Sequence, residues 1–307
     1  MANNFINVLI IGYGSAGKRH AKILNSSKKI KNIFIVTNQN IKSEKKFHFV
    51  KKIKNLEPDL IVIANETHKH YDVCKVLEKK FKNKIILCEK PLFHKLYEFR
   101  PKKNKFYIAY NFRFHECLQY IKKKINLDKI FYIEAESSSY LPYWRKNTDY
   151  SKNYSAFPKK GGGVLLDMSH ELDYLRWLFT DFKISNIFKN KISNLNILSD
   201  DIALILGHTK KNTLIKIKLT YFNKIPKRDL IICTKEGIQI YVNLLKSEIK
   251  ILKKKKIRIL KFQKYSQYKT TKYMYSQILK NNFKDVCSLK DSLGLLRQIK
   301  YSKKLNL

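Results

Sequence analysis

Short apolar runs alternate with helical patterns over the first third of the chain. FINVLII at 5–11, IFIVT at 33–37, LIVIA at 60–64, IILC at 85–88 and FYIAY at 106–110 each have the length of a strand buried on both faces. KRHAKILNSS follows the first run and YDVCKVLEKKF the third, each with helical spacing. Strands alternating with helices predict a parallel, doubly wound sheet. After about residue 111 the rhythm changes. HECLQYIKKKI predicts a helix and KIFYIEAESSS a strand; then come a loop rich in Tyr, Pro and Trp, a glycine run and the amphipathic stretch HELDYLRWLF. From about 184 to 263 strand follows strand: ISNIFKNKI, IALILGHT, TLIKIKLTYF, DLIICT, GIQIYVN and IRILKF, with turns such as TKEG at 234–237 between them. That pattern predicts an antiparallel sheet, and the last 40 or so residues read as helix. The expected fold is α/β: a doubly wound parallel sheet over 1–111, then an α+β unit with a large, mostly antiparallel open sheet over 112–307.

A chain of 307 residues is long enough for two such cores. No apolar run approaches the ~18 residues of a membrane span. The start, MANNFINVLII, lacks a basic region and a small-residue cleavage site and reads as a first strand, not a signal peptide. Five scattered cysteines, none in a CxxC pair, argue against a disulfide framework and a structural zinc site, and no trio has metal-ligand spacing. A reducing cytoplasm is the expected compartment. The net charge of +40 raises nucleic-acid binding. Only eight of the 64 basic residues are arginine, however, and the lysines run through the whole chain in stretches such as KKIKN and KKKKIRILK. Arginine is the usual residue for bidentate phosphate and guanine recognition. The charge therefore reads as lysine on solvated faces. Neither nucleic acid nor membrane is an expected partner, and a lysine-rich nucleic-acid binder is the remote alternative.

Gly12-Tyr13-Gly14-Ser15-Ala16-Gly17 follows a strand and opens a helix, the context a dinucleotide fingerprint needs. Gly12 allows the tight turn, Gly14 close backbone approach to a pyrophosphate and Gly17 helix–strand packing; helix amides from Ser15 and Ala16 onward face the phosphates. The second strand ends Val36-Thr37-Asn38-Gln39-Asn40, without the acid that bonds the ribose of NAD. Thr37 and Asn38 do not repel a 2′-phosphate and Lys42 lies near, so the reading leans to NADP over NAD.

Two further stretches stand out. IILCEKP at 85–91 puts Lys90 at the mouth of a buried strand, where doubly wound sheets bind ligands. GGGVLLDMSHELD at 161–173 puts Asp167 and His170 at a helix start, where Ser169 could cap and Asp167, His170 and Glu171 could converge. The aromatic loop Tyr140-Leu141-Pro142-Tyr143-Trp144-Arg145 could stack a sugar on Trp144 and hold an anionic group with Arg145.

GYGSAG, NETHKH, CEKPL, NFRFH and GGGVLLDMSHELDYLRWLF, in this order, resemble the glucose–fructose oxidoreductase and inositol dehydrogenase (Gfo/Idh/MocA) family over nearly the whole chain. The resemblance implies a dinucleotide domain followed by a substrate-binding and oligomerisation domain. It also implies a dehydrogenase acting on a hydroxyl carbon of a sugar or sugar nucleotide, in surface-polysaccharide synthesis, assembled as a homo-oligomer (dimer or tetramer). Lys90, Asp167 and His170 match its catalytic positions. Asn65, Thr67, His70 and Glu89 match positions near the cofactor, and Asn111 and Arg113 the NxR segment facing nicotinamide and substrate. His170 would take the hydroxyl proton, Lys90 would hydrogen-bond the same oxygen, and Asp167 would orient the pair. The family usually has histidine four residues after the aspartate; here the third is His170 and the fourth Glu171, so both are candidates for the acid/base. Glu66 stands where proline is common. A non-catalytic NAD(P)-binding sensor of the same fold is the alternative.

Overall fold

The computed structural model of the chain describes residues 5–53 and 55–305; the four residues that begin the MANNFINVLII stretch lie outside this description, as do Lys54 and the last two residues. The chain divides into two compact units, Met1–Asn111 with Gln267–Leu293 and Phe112–Ser266 with Gly294–Leu307.

The first unit opens with β1 (Ile6–Ile11), α1 (Ser15–Asn25), β2 (Ile30–Val36), β3 (Phe47–Val50), β4 (Leu60–Ile63), α2 (His70–Lys80), β5 (Ile85–Cys88) and β6 (Lys105–Ile108). The strands lie in the order β6-β5-β4-β1-β2-β3, all parallel. Val8, Leu9, Ile10, Ile61, Val62, Ile63, Ile86 and Leu87 are all fully buried, which is why these strands read as unbroken apolar runs. β1 and β4 are neighbours, and their ends deliver Gly12 and Asn65 to the topological switch point of the sheet. The four-residue edge strand β3 is an addition to the sequence expectation. It is only half-buried and sits between lysine pairs, so it carries little hydrophobic signal.

The second unit contains α3 (Glu116–Lys124), β7 (Ile130–Tyr140), α4 (Val164–Asp167), α5 (His170–Leu178), β8 (Lys183–Asn190), β9 (Ile202–His208), β10 (Leu214–Thr220), β11 (Phe222–Thr234), β12 (Ile238–Asn243), β13 (Glu248–Lys253) and β14 (Lys256–Lys261). Their order is β14-β13-β12-β11-β7-β10-β9-β8. Every neighbouring pair is antiparallel except β7 with β10. One face buries Ile133, Ala135, Ile205, Ile215, Ile217, Ile232 and Ile240 completely. The other carries cross-strand ion pairs, Lys216–Glu134 at 3.0 Å and Lys218–Glu136 at 3.2 Å. The unforeseen strand β13, EIKILK, mixes charged and apolar residues on this half-solvated sheet and was hidden among the lysine runs.

The chain then returns to the first unit. α6 (Gln267–Ile278) packs on α1, and β15 (Cys287–Ser288) adds antiparallel to the open edge of β6. Asn111 donates to both Thr270 and Thr271 hydroxyls at 2.9 Å, and Tyr107 stacks on Phe283 at 4.5 Å. These contacts place 267–293 with the dinucleotide-type sheet, whereas a continuous 112–307 domain was expected from sequence. α7 (Leu289–Tyr301) leads back to the second unit, where β16 (Lys303–Leu305) pairs with β8 in parallel. All five cysteines are free thiols. Among the described residues no helix is long and apolar enough to cross a membrane, and no group of His, Cys, Asp and Glu could hold a metal ion.

Candidate active site

In the first unit, the turn between β1 and α1 is built around missing side chains. A Cβ on Gly17 would lie 2.1 Å from the Gly12 carbonyl oxygen, so helix and turn can approach only without one. Gly14 differs: an added Cβ there meets nothing within 4 Å. It is the N-cap of the 11-residue helix α1, with extended φ −77° and ψ −163°. A tight turn, an open flank at the middle glycine and helix amides beyond it fit a pyrophosphate lying against Gly12–Gly17. Gly14→Val therefore keeps the fold, at about 1 kcal/mol for a poorer N-cap. It also lowers NAD(P) affinity by about 10²-fold or more, because the new branch fills the space the pyrophosphate needs. Isothermal titration of both proteins with cofactor checks this, and equal affinities would refute it.

At the end of β2 a cavity of about 340 Å³ is lined by Thr37, Gln39, Asn40, Lys42, Phe49 and Lys51, among others, with no acid in its wall. The Thr37 hydroxyl accepts the Gln39 amide at 3.2 Å. Lys51, absent from the sequence reading, donates to the Asn38 carbonyl and the Asn40 side chain, both at 2.9 Å. It lies just past the end of β3, where only the fold brings it close.

Lys90 is half-buried at the end of β5 and follows Glu89, whose Oε2 accepts the Lys90 backbone N–H at 3.0 Å. Oε1 of Glu89 accepts from Arg19 at 2.9 Å and from His20 Nε2 at 2.8 Å. Burial pushes the Glu89 carboxyl up, but the His20 hydrogen bond and the Arg19 and Lys90 charges hold it well below the usual carboxylate range. Its carboxylate is thus engaged with α1 and the Lys90 peptide. His70 is likewise turned inward. Its Nδ1 lies 3.1 and 3.0 Å from the Pro91 and Leu92 carbonyls, and its Nε2 3.2 Å from that of Asn65. Burial lowers its pKa, against those carbonyls, which raise it. The ring thus clamps the segment that follows Lys90 to the one that follows β4. Thr67 is buried in the short 3-10 turn before α2.

In the second unit, the glycine run makes the bend that aims α4. Gly163 has φ +109°, and a Cβ there would meet the Asp200 carboxylate at 2.5 Å. That carboxylate accepts the Leu165 amide at 3.0 Å. Asp167, at the end of α4, is 5% exposed and accepts the Tyr221 hydroxyl at 2.5 Å. Tyr154 lies close by, and burial together with the Asp167 charge pushes both phenols well above their ordinary pKa. Both tyrosines were missed in the sequence: they lie in a 3-10 turn and just beyond β10, with nothing local to mark them. Tyr221 meets the Trp144 ring edge-on at 5.3 Å, and Arg145 lies over Tyr154 at 5.6 Å, so the aromatic loop joins Asp167 through these two rings. Trp144 and Tyr143 remain 39% and 68% exposed. Arg145 donates to Asn153 at 3.2 Å.

His170 begins α5, 5% exposed, its ring 4.8 Å from Phe112. Ser169 occupies the N-cap but makes no side-chain capping bond, contrary to the sequence expectation. Glu171 follows His170 in α5. It is completely buried and paired at 2.8 Å with Arg228, which stacks on Phe112 and reaches Ser137 at 3.1 Å. Between the two acid/base candidates, Glu171 thus has its carboxylate in an interior ion pair. The NFR segment is also internal. Arg113 forms a bidentate pair with Asp173 at 2.9 and 2.7 Å, both side chains 4% exposed, while Asn111 is held by Thr270 and Thr271. His115, which closes that segment, accepts the Cys117 amide and bonds the Leu244 carbonyl; burial lowers it to about 4.

Comparison with known proteins bears on both units. The family profile described as oxidoreductase family, NAD-binding Rossmann fold, matches residues 6–103, and the one described as oxidoreductase family, C-terminal alpha/beta domain, matches 122–276. An uncharacterized oxidoreductase of Synechocystis sp. is 27% identical over 135 residues, a stretch that covers 41% of this chain and 36% of that protein. Among solved structures, UDP-N-acetylglucosamine 3-dehydrogenase GnnA from Acidithiobacillus ferrooxidans aligns with TM-score 0.73 at 16% identity, over 96% of each chain. Levoglucosan dehydrogenase in complex with NADH aligns with TM-score 0.79 at 15% identity, over 95% of this chain and 94% of that one. At these identities the structures share the fold.

Proposed function

Because the chain belongs to the Gfo/Idh/MocA oxidoreductase family, we propose that it is a nicotinamide-dependent dehydrogenase of a sugar or sugar nucleotide, working in the cytoplasm in surface-polysaccharide synthesis. The observation that carries this reading is the buried Asp167, held by the Tyr221 hydroxyl, whose ring connects it to the exposed Trp144 shelf. A carboxylate fixed beside a helix that begins with histidine suits proton handling, and an exposed indole suits the apolar face of a sugar ring. The names of the two aligned dehydrogenases, one for a sugar nucleotide and one for levoglucosan, agree with that substrate class.

Gly12–Gly17, Asn65 and the Thr37–Asn38 turn would hold the cofactor, whose nicotinamide supplies the hydride chemistry. His170 takes the proton of the reacting hydroxyl, Lys90 hydrogen-bonds that oxygen as charge develops on it, and Asp167 orients the proton acceptor. The acid-free wall of the β2 cavity, with Lys42 and Lys51, supports NADP over NAD. Leu204, Leu206 and Leu214 on the open face of the second sheet are 37–49% exposed, which supports a homo-oligomer built through that face.

The test is a melting series with NADP and NAD at one ionic strength, repeated with UDP-sugars and free sugars, followed by turnover assays on whatever stabilises. A ligand at 100 times its Kd adds about 2.7 kcal/mol. Larger shifts with NADP, and turnover of a sugar or sugar nucleotide, are expected. Stronger stabilisation by NAD overturns the cofactor choice. Binding of cofactor without turnover of any sugar leaves the non-catalytic sensor as the better account.

A further inference from the structure

His20 is wholly buried in α1, yet its partners are side chains and not the backbone. Nε2 faces Glu89 Oε1 at 2.8 Å, and Nδ1 faces the Tyr275 hydroxyl at 2.7 Å. The two rings stand at 90° with centroids 5.6 Å apart. A carboxylate only accepts, so Nε2 carries the hydrogen. Nδ1 then accepts from the phenol, and that bond fixes the tautomer and the ring orientation. Glu89 Oε1 is shared by His20 and Arg19, and Oε2 accepts the backbone N–H of Lys90. With each oxygen tied, the carboxylate has one orientation, and the peptide that carries Lys90 is tied to it.

We propose that His20 is a positioning residue for Lys90, held in register by Tyr275 and acting through the Glu89 carboxylate. Arg19 alone would neutralise Glu89; a guanidinium that is 21% exposed does not fix the carboxylate plane as a wholly buried ring does. The groups facing this path are Arg19 and His20 from α1, Glu89 and Lys90 from the end of β5, and Tyr275 from α6. Burial, reinforced by the Glu89 charge, pushes the Tyr275 phenol well above its ordinary pKa, so it keeps the proton it gives to the hydrogen bond. Tyr275 lies 255 residues from His20, which is why no local pattern announces the pair. The proposal deepens the functional reading and rests on Lys90 being the group that meets the reacting oxygen.

The test measures amide hydrogen exchange at Lys90 in the full chain, which needs no substrate, and turnover on the substrate found by the screen above. His20→Leu removes both bonds, Tyr275→Phe only the phenol's, and His20→Gln keeps a donor toward Glu89. In His20→Leu the Lys90 amide exchanges about tenfold faster or more, as loss of a hydrogen bond to a charged group allows, while the Ile86 and Leu87 amides stay within about twofold. kcat falls about tenfold with KM little changed, the signature of a misplaced group rather than a lost binding contact. His20→Gln recovers most of both, and Tyr275→Phe shows the same direction at smaller size, which also serves should His20→Leu not fold. Wild-type exchange at Lys90 in both His20→Leu and Tyr275→Phe overturns the proposal, and so does faster exchange with unchanged kcat. A wild-type chain that turns over no sugar refutes the dehydrogenase reading instead, and the exchange rates then decide the positioning claim by themselves.

Discussion

Lys90→Ala yields a folded chain that still binds its nicotinamide cofactor but turns over its substrate about 10²-fold or more slowly, the range for losing a general acid–base group or an oxyanion donor. The structure sharpens why folding survives. What secures this segment is the Glu89 carboxylate on the Lys90 peptide and the His70 ring on the Pro91 and Leu92 carbonyls, none of which involves the Lys90 side chain. Stability is therefore expected within about 1 kcal/mol of wild type. Lys90→Arg does not rescue, since a planar guanidinium has a different reach and holds its proton more firmly. His170→Ala loses rate to a similar extent. The double variant loses much less than the product, as groups acting in one step do. Steady-state kinetics on the true substrate, with cofactor titrations alongside, decide the matter. Near wild-type turnover in Lys90→Ala would mean that the lysine only edges a loop.

The second large effect is on stability. Asp173→Ala is expected to cost about 3–5 kcal/mol, because it strands a buried guanidinium whose pairing removed the cost of desolvation. Arg113 and Asp173 share two hydrogen bonds with 4% of either side chain exposed. Replacing both by apolar residues of similar volume recovers most of the loss, since such swaps are often neutral. Chemical denaturation of the two single variants and the double variant measures this. If Arg113 served the substrate, as sequence resemblance implied, Asp173→Ala would raise KM at nearly unchanged stability. That result would return Arg113 to the substrate site.

The two cases show what the amino-acid order reveals and what it hides. β1, β4 and β5 are legible because both faces are buried and the chain writes that as unbroken apolar runs. The glycine turn is legible because steric demands at Gly12 and Gly17 exclude other residues. β13 is not, because a half-solvated strand carries lysine and glutamate among its apolar residues in a chain where lysine is everywhere. Motif matching finds Asp167 and Glu89 but is silent on their partners. Tyr221 comes to Asp167 across 54 positions, and His20 to Glu89 across 69, and only the folded topology makes them neighbours. Arg113 shows the opposite failure, since a motif position conveys a residue type and says nothing of the acid that occupies it.

The return of residues 267–293 to the first unit has a consequence for biosynthesis. When Asn111 leaves the ribosome, β6 has no partner on its outer edge and His20 has no phenol, because β15 and Tyr275 are still untranslated. At typical elongation rates of about 5–20 residues per second, the missing pieces arrive roughly 10–40 s later. Throughout that interval the nascent first unit exposes a strand edge able to pair with another chain. The second unit is synthesised inside that window, so the half of the protein that begins first is completed only after almost all of the other half has been made.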